Sequence, residues 1–351
     1  MNPSDTKKSL LGMLPEEIAS AVKGLGLPSY AAAQIIDWVY RKRVTDIAQM
    51  SNLSQANRTL LAEHYRVGRA EPTQAVTSQD GTVKYLFPVA GGAVESVFIP
   101  EADRATLCVS SQVGCKMNCL FCQTGKQGFK GHLSAGEILN QIYSVPQADS
   151  LTNVVFMGMG EPMDNIDAVL RATTLLTHSK GYAWSPKRIT VSTIGVEPGL
   201  TRFLRESSCN LAVSLHNPIP AERLSLMPME RALPIEQLVH KLSGYDFRHQ
   251  RRLTFEYIVF SGLNDTMLHV RELTKLLSGL SCHVNLIRYH RIPGIDLPAT
   301  DPARAERLRD ALSAKGIPTT IRTSRGEDIW AACGMLSSLR TEQHPASDPN
   351  T

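Results

Sequence analysis

The sequence predicts an α/β fold around a parallel sheet, and three observations carry that reading. From residue 105 to about residue 335, short continuous apolar runs alternate with amphipathic stretches of helical period. The runs are rich in Val and Ile, as strands covered on both faces require. The polar, chemically distinctive stretches fall directly after the runs, where α/β proteins place their ligands. Repeated βα units of this kind fit either a doubly wound sheet or a full or partial barrel.

Residues 1–70 read as a helical module. Pro15-Glu16-Glu17 opens a first helix, and Gly24-Leu25-Gly26 breaks it. Ala33, Ile36, Val39 and Tyr40 mark a second that ends in Arg41-Lys42-Arg43, and a third runs from Ser54 to about His64. Its basic edge suits a phosphate backbone or the next domain. Residues 71–100 read as a three-stranded meander, with Asp80-Gly81 as a type I′ hairpin turn and Gly91-Gly92 as the next turn. Glu95 shares a strand face with Val97 and Ile99, which leaves it paired, functional or at a wet edge. Strands are expected at Thr106–Ser110, Asn153–Met157, Arg188–Ser192, Asn210–Ser214, Thr254–Phe260, Val284–Ile287 and Pro318–Arg322. Ser134-Ala135-Gly136-Glu137 is a capping box for the helix after the first strand. Further helices are expected at Ile166–Leu176, Ile235–Leu242, Met267–Leu277 and Ala303–Ala314. Residues 101–335 thus form the main domain, and residues 336–351 read as a disordered tail.

Composition narrows the class. Net charge is +4, from 37 basic and 33 acidic residues, which is too mild to establish a nucleic-acid partner by itself. Basic clusters at Arg41–Arg43, Lys126 with Lys130, Lys187-Arg188 and Arg248–Arg252 are each a solvated face or a docking edge. No apolar run approaches the ~20 residues of a membrane span, and Met1–Leu11 lacks the apolar core of a secretory signal. Seven cysteines, three of them clustered, argue against a disulfide scaffold and for a reducing, cytoplasmic setting.

The three clustered cysteines carry the chemistry. Cys115, Cys119 and Cys122 stand at C-x3-C-x2-C among polar Lys116, Asn118 and Gln123. Three ligands on a 4Fe–4S cluster leave one iron open to bind and reductively cleave a small molecule, whereas four would only pass electrons. Zinc sites pair two half-sites at a distance, and this run does not. Gly158-Met159-Gly160-Glu161-Pro162 follows the second strand without the third glycine of a dinucleotide fingerprint. Its glycines would let a ligand approach the backbone, and Glu161 would neutralise a ligand ammonium. Ser192, Ser214-Leu215-His216 and Asn285, on or after successive strands, add polar groups to the same pocket.

Three longer stretches extend the pattern: Leu107-Cys108-Val109-Ser110-Ser111-Gln112-Val113-Gly114-Cys115, Met157–Pro162 and Ala331-Ala332-Cys333-Gly334. With the cysteine triad they resemble the RlmN/Cfr family, radical S-adenosylmethionine methyltransferases of adenine in ribosomal and transfer RNA. The resemblance runs from about residue 15 to residue 335. It implies a partial (β/α)6 barrel with a small N-terminal helical RNA-binding domain. It implies a 4Fe–4S cluster on Cys115, Cys119 and Cys122, and S-adenosyl-L-methionine contacted by Gly160, Glu161, Ser192, Ser214, Leu215, His216 and Asn285. Cys333 resembles the residue that is methylated first, Cys108 the one that resolves the RNA adduct through a disulfide, and Glu95 the proton acceptor. The implied partners are 23S rRNA and tRNA, with an electron donor such as flavodoxin or ferredoxin, for a monomer that needs no membrane. Pro162 matches the branch that methylates adenine C2, while Leu286-Ile287-Arg288-Tyr289 reads more like the C8 branch that confers antibiotic resistance. A reading of another class is a non-catalytic iron–sulfur RNA-binding protein. Cys333 and Glu161 speak against it, because mere binding needs neither a distant cysteine nor a ligand pocket.

Overall fold

The structure is a computed structural model and describes residues 7–249 and 251–337. Strand β1 (Lys8–Ser9) leads into helix α1 (Pro15–Gly24), whose first turn carries Pro15, Glu16 and Glu17 as the sequence predicts. Helix α2 (Tyr30–Ile36) continues into a π-helical turn, Asp37–Arg41, that buries Val39 and Tyr40. The Ser54 hydroxyl caps α3 (Gln55–His64) by accepting the Asn57 amide. Strand β2 (Tyr65–Arg66) then pairs in parallel with β1. Two-residue strands carry no periodicity, so the sequence offered no sign of this pair.

Strands β3 (Gln74–Thr77), β4 (Val83–Val89) and β5 (Gly92–Pro100) form the antiparallel meander. Its first turn is not type I′, which needs two left-handed residues. Only Gly81 has positive φ, at 83°, and a three-residue loop is closed by Gly81 N to Ser78 O (3.0 Å) and Ser78 N to Thr82 O (2.8 Å). The Asp80 carboxylate accepts the amides of Thr82 and Gly326, both at 2.9 Å, and those bonds fix the alternative turn.

Strand β5 pairs antiparallel with β6 (Ala105–Cys108), the first strand of the main domain. Short strands β7 (Gln112–Val113) and β8 (Gly131–His132) bracket the cysteine loop and its four-residue helix α4 (Gln123–Lys126). Helix α5 (Ala135–Ser144) starts at the expected Ser134/Glu137 capping box. There follow β9 (Asn153–Phe156), α6 (Ile166–Thr177), β10 (Ile189–Thr193), α7 (Gly199–Glu206), β11 (Asn210–Ser214), α8 (Pro220–Leu226) and α9 (Ile235–Leu242). Then come β12 (Leu253–Val259), α10 (Met267–Leu276), β13 (His283–Arg288), α11 (Pro302–Ala314) and β14 (Thr319–Arg322).

Strands β6, β9, β10, β11, β12, β13 and β14 are parallel neighbours in chain order. A doubly wound sheet would reverse that order at a switch point. The free flank of β6 is taken by β5, so β14 stays an edge and the barrel is partial. Along these strands Val154, Phe156, Val191, Val213 and Phe255 are buried in the apolar core. The alternate residues, including Thr190, Thr254, Glu256, Asn285, Thr320 and Arg322, line the interior. Leu336 and Ser337 depart from the expected tail: both are buried, because their backbones complete hydrogen bonds with Thr124 and Glu95. Residues 338–351 of that tail lie outside the described residues. Among the described residues no helix is long and apolar enough to cross a membrane.

The N-terminal segment meets the barrel backbone to backbone. A Cβ on Gly136, in the first turn of α5, would lie 2.5 Å from the Leu11 carbonyl oxygen. Replacing a helical glycine by alanine ordinarily stabilises by about 1 kcal/mol. Here the clash opposes that gain, and Gly136→Ala is expected to destabilise by about 1–3 kcal/mol. Chemical denaturation checks this, and an unchanged or raised midpoint would show that the seam can part freely.

Candidate active site

The cysteine loop is shaped by backbone constraints before any ligand is considered. Gly114 has φ +74°, and a Cβ there would stand 1.6 Å from the Gly128 carbonyl oxygen, so only glycine lets the two ends of the loop meet. The Leu120 amide donates to the Leu226 carbonyl at 2.8 Å and ties the loop to the end of α8. Lys116 pairs with Asp164 at 2.9 Å, and the Gln112 amide also donates to Asp164, at 2.7 Å. Cys119 is buried, while Cys115 and Cys122 are partly exposed. Burial first, then the neighbouring thiols, pushes Cys115 up to about 12 and Cys119 well above the usual thiol range. Three mutually repelling thiolates in this setting require positive charge among them. Among the described residues no three His, Cys, Asp or Glu side chains converge on a single metal ion. Three sulfur donors within electrostatic reach of one another fit the three cysteine ligands of a 4Fe–4S cluster with an open iron.

Glycines 158 and 160 are required by the protein's own packing. A Cβ on Gly158 would meet Ser110 Oγ at 2.7 Å, and one on Gly160 would meet Gln112 Cβ at 2.5 Å. Glu161 beside them is 3% exposed. Its carboxylate accepts the Thr193 hydroxyl (2.5 Å) and the amides of Ile194 and Met163 (both 3.1 Å). Burial outweighs these bonds and raises it to about 7.

Ser214 ends β11 and Leu215 and His216 follow it, and a side chain absent from the sequence reading holds them there. Arg223 is completely buried, donates to the carbonyls of Ser214 and Leu215 (both 3.0 Å), and pairs with Glu230. Arg223 and Glu230 resemble ordinary surface charges in the sequence, so nothing marked them. His216 has φ +56°; its Nδ1 accepts the Ile258 amide at 3.0 Å, and its ring meets the Phe121 ring edge-on at 4.8 Å. Burial, then the Arg223 charge, lowers it to about 3, so the ring is neutral. Ser192 is partly exposed on β10. Asn285 sits mid-strand, with its amide donated to Glu256 (3.0 Å) and its oxygen accepting from Thr320 (2.8 Å), so its bonds are taken within the sheet. His290, two residues beyond β13, lines the same cavity as Cys333 and could have been found by the strand-end rule.

Cys108 ends β6, and Cys333 lies 225 residues later, yet each thiol is within electrostatic reach of the other. Both are free, and so are all seven cysteines. Burial, then Cys333, pushes Cys108 up to about 12, with Arg322 opposing. Gly334 offers its carbonyl to the Gln123 amide at 2.7 Å, which docks the Cys333 segment on the end of the cysteine loop. Glu95 is 1% exposed, pairs with Lys84 at 3.1 Å and accepts the Ser337 amide at 2.7 Å. A wet edge is thereby excluded, and burial raises its carboxyl despite Lys84.

A partial parallel barrel with a three-cysteine loop after its first strand defines a radical S-adenosylmethionine enzyme. The family described as the Radical SAM superfamily matches residues 109–274, and the ribosomal RNA large subunit methyltransferase N-terminal domain matches residues 8–67. A probable dual-specificity RNA methyltransferase RlmN of Parabacteroides distasonis is 58% identical over 95% of this chain and 98% of its own. Its counterpart in Thermus thermophilus is 40% identical over 96% and 95%. A crystal structure of a radical SAM methyltransferase from Sphaerobacter thermophilus superposes with TM-score 0.89 at 39% identity, covering 94% of this chain and 99% of that one. The chain belongs to the RlmN family of radical S-adenosylmethionine RNA methyltransferases, enzymes that use a 4Fe–4S cluster and S-adenosylmethionine.

Removing one partner of a fully buried ion pair leaves the other uncompensated, at about 3–5 kcal/mol. Arg223→Met is expected to lose that much stability in denaturant titrations, and Arg223→Met with Glu230→Leu to recover most of it. Equal losses in the two variants would show that the carbonyl contacts, not the ion pair, dominate.

Proposed function

We propose that this enzyme methylates C2 of an adenosine in 23S rRNA and in tRNA, through an S-methylcysteine on Cys333. The observation that carries the reading is the meeting of three distant segments: the Cys333 segment bonded to the cysteine loop, with Cys108 within electrostatic reach. Adenine C2 is electron-poor and cannot attack a methylsulfonium, so a polar transfer to carbon is closed and a radical route is needed. Cys115, Cys119 and Cys122 would hold the cluster, which supplies the electron that cleaves S-adenosylmethionine to a 5′-deoxyadenosyl radical. Glu161, Ser192, Ser214 and His216 would orient that substrate from the strand ends, with the Gly160, Leu215 and Asn285 positions beside them.

Cys333 would first take a methyl group from one S-adenosylmethionine by displacement. A radical from a second S-adenosylmethionine would take a hydrogen atom from that S-methyl group; the resulting carbon radical would add to adenine C2, and the adduct would give up one electron to the cluster held by Cys115, Cys119 and Cys122. Glu95 would then accept the C2 proton; a carboxylate whose affinity for protons is raised by burial is a better base than one in water. Cys108 would attack the Cys333 sulfur, release the methylated RNA and leave a Cys108–Cys333 disulfide. Its thiol is held above the usual range, so it stays protonated until that step. The helical module, with Arg41 and Lys42 at its edge, would dock the RNA, and a flavodoxin- or ferredoxin-like protein would supply the electron.

Mass spectrometry of RNA nucleosides tests the reading after anaerobic incubation with reconstituted enzyme, reductant and S-adenosylmethionine. Rising 2-methyladenosine in both RNAs is expected. A methyl at C8 would instead favour the second reading, which Leu286–Tyr289 supports, and no methylated adenosine would reject both. In Cys108→Ala an RNA–protein crosslink at Cys333 is expected to accumulate, and free product at the wild-type rate would reject the resolving role.

A further inference from the structure

The barrel interior holds a cavity of about 500 Å³ that the chemistry above leaves largely unused. Asn153, Asn210 and His283, the first residues of β9, β11 and β13, line one end, and Arg322 and Cys333 line the other. Of the residues assigned to S-adenosylmethionine, only Asn285 lines it. The cavity therefore connects the amino-terminal rim of the barrel to the Cys333 thiol from the side opposite the cysteine loop.

Cationic side chains stand at both ends, with Glu101 at the rim and Glu256 inside. Arg104, Lys187 and Arg252 are exposed and line the rim, where Arg104 is paired with Glu101. Among the described residues no carboxylate pairs with Lys187 or Arg252. These two belong to the basic clusters singled out in the sequence, and the fold turns them away from the cysteine loop. Their neighbour Arg251 is structural, since it donates to the Leu204 carbonyl at 3.0 Å near the end of α7. At the deep end the Arg322 guanidinium donates to Met157 Sδ at 3.6 Å, and its charge is felt by both Cys108 and Cys333. Glu256, 4% exposed, leaves Oε2 without a hydrogen-bond partner inside the same cavity. With Arg104 matched by Glu101, the excess positive charge of Lys187 and Arg252 at the mouth and Arg322 inside favours a small anion, and a cavity of about 500 Å³ suits a small molecule.

We propose that this lumen is the entry route for a small anionic thiol that reduces the Cys108–Cys333 disulfide between turnovers. The proposal rests on the disulfide-forming reading above. The thiolate attacks the Cys333 sulfur, the Cys108–Cys333 bond breaks, and the Cys108 thiolate leaves and takes a proton. A second thiolate attacks the entering sulfur of the mixed disulfide, freeing the Cys333 thiolate and an external disulfide. Two external thiols are thus oxidised and one protein disulfide reduced, a balanced two-electron exchange. Attack falls on Cys333 because that residue lines the cavity and Cys108 does not. The route keeps the RNA-facing side free of reductant traffic.

The test uses full-length cluster-loaded enzyme taken through one anaerobic turnover with RNA and S-adenosylmethionine in the absence of thiol. It is then exposed to 2-mercaptoethanesulfonate or to neutral 2-mercaptoethanol, and free Cys108 and Cys333 are counted over time by mass spectrometry. In the double variant Lys187→Glu with Arg252→Glu, two exposed charges outside the reaction machinery are reversed. Reduction by the sulfonate is expected to slow about tenfold, an effect that salt should erase, while 2-mercaptoethanol acts at the wild-type rate. Equal rates in wild type and variant, or equal slowing with both thiols, would overturn the proposal while leaving the disulfide reading intact. Absence of any Cys108–Cys333 disulfide after one turnover would remove the disulfide reading itself.

Discussion

A guanidinium shut away from water holds the site together. Arg223 binds the carbonyls that end β11, pairs with Glu230, and sits on α8, whose last residue receives the Leu120 amide of the cysteine loop. One helix therefore fixes both the strand end and the loop. Burying such a charge is unfavourable unless every donor is matched, and here each bond aligns a backbone segment with functional residues. Glu230 in turn accepts the Ile235 amide at the start of α9, so the constraint extends to the next helix.

The parallel strands were legible because each buries a continuous apolar run between helices, and their limits match the sequence reading to within a few residues. Periodicity could not choose between a doubly wound sheet and a barrel, because that choice lies in strand order. The cysteine triad was legible because its donors are close in sequence. Arg223 and Arg322 were not, since their significance arises from neighbours brought together only by the fold. Gly158 and Gly160 were visible as special positions, and the fold adds a second reason for them, since the chain itself packs where their side chains would be. The turn at Asp80 was misread because the Gly326 amide that captures its carboxylate is 246 residues away.

Inside the barrel the usual apolar filling is replaced by threonine, asparagine, glutamate and arginine. Polar lining in a barrel core forgoes burial energy, and its persistence along several strands marks the lumen as working space. The outer faces of the same strands carry the apolar packing instead, which lets the interior stay open without loss of the sheet.

The Ser337 amide reaches Glu95 across 242 residues, and Gln123 grips Gly334 across a comparable span. Contacts of such separation close large loops in the chain and come late in folding. During synthesis the cysteine triad and Cys108 emerge long before Cys333. A chain released before residue 333 would hold the three-cysteine loop without the segment that docks on it and closes over Glu95.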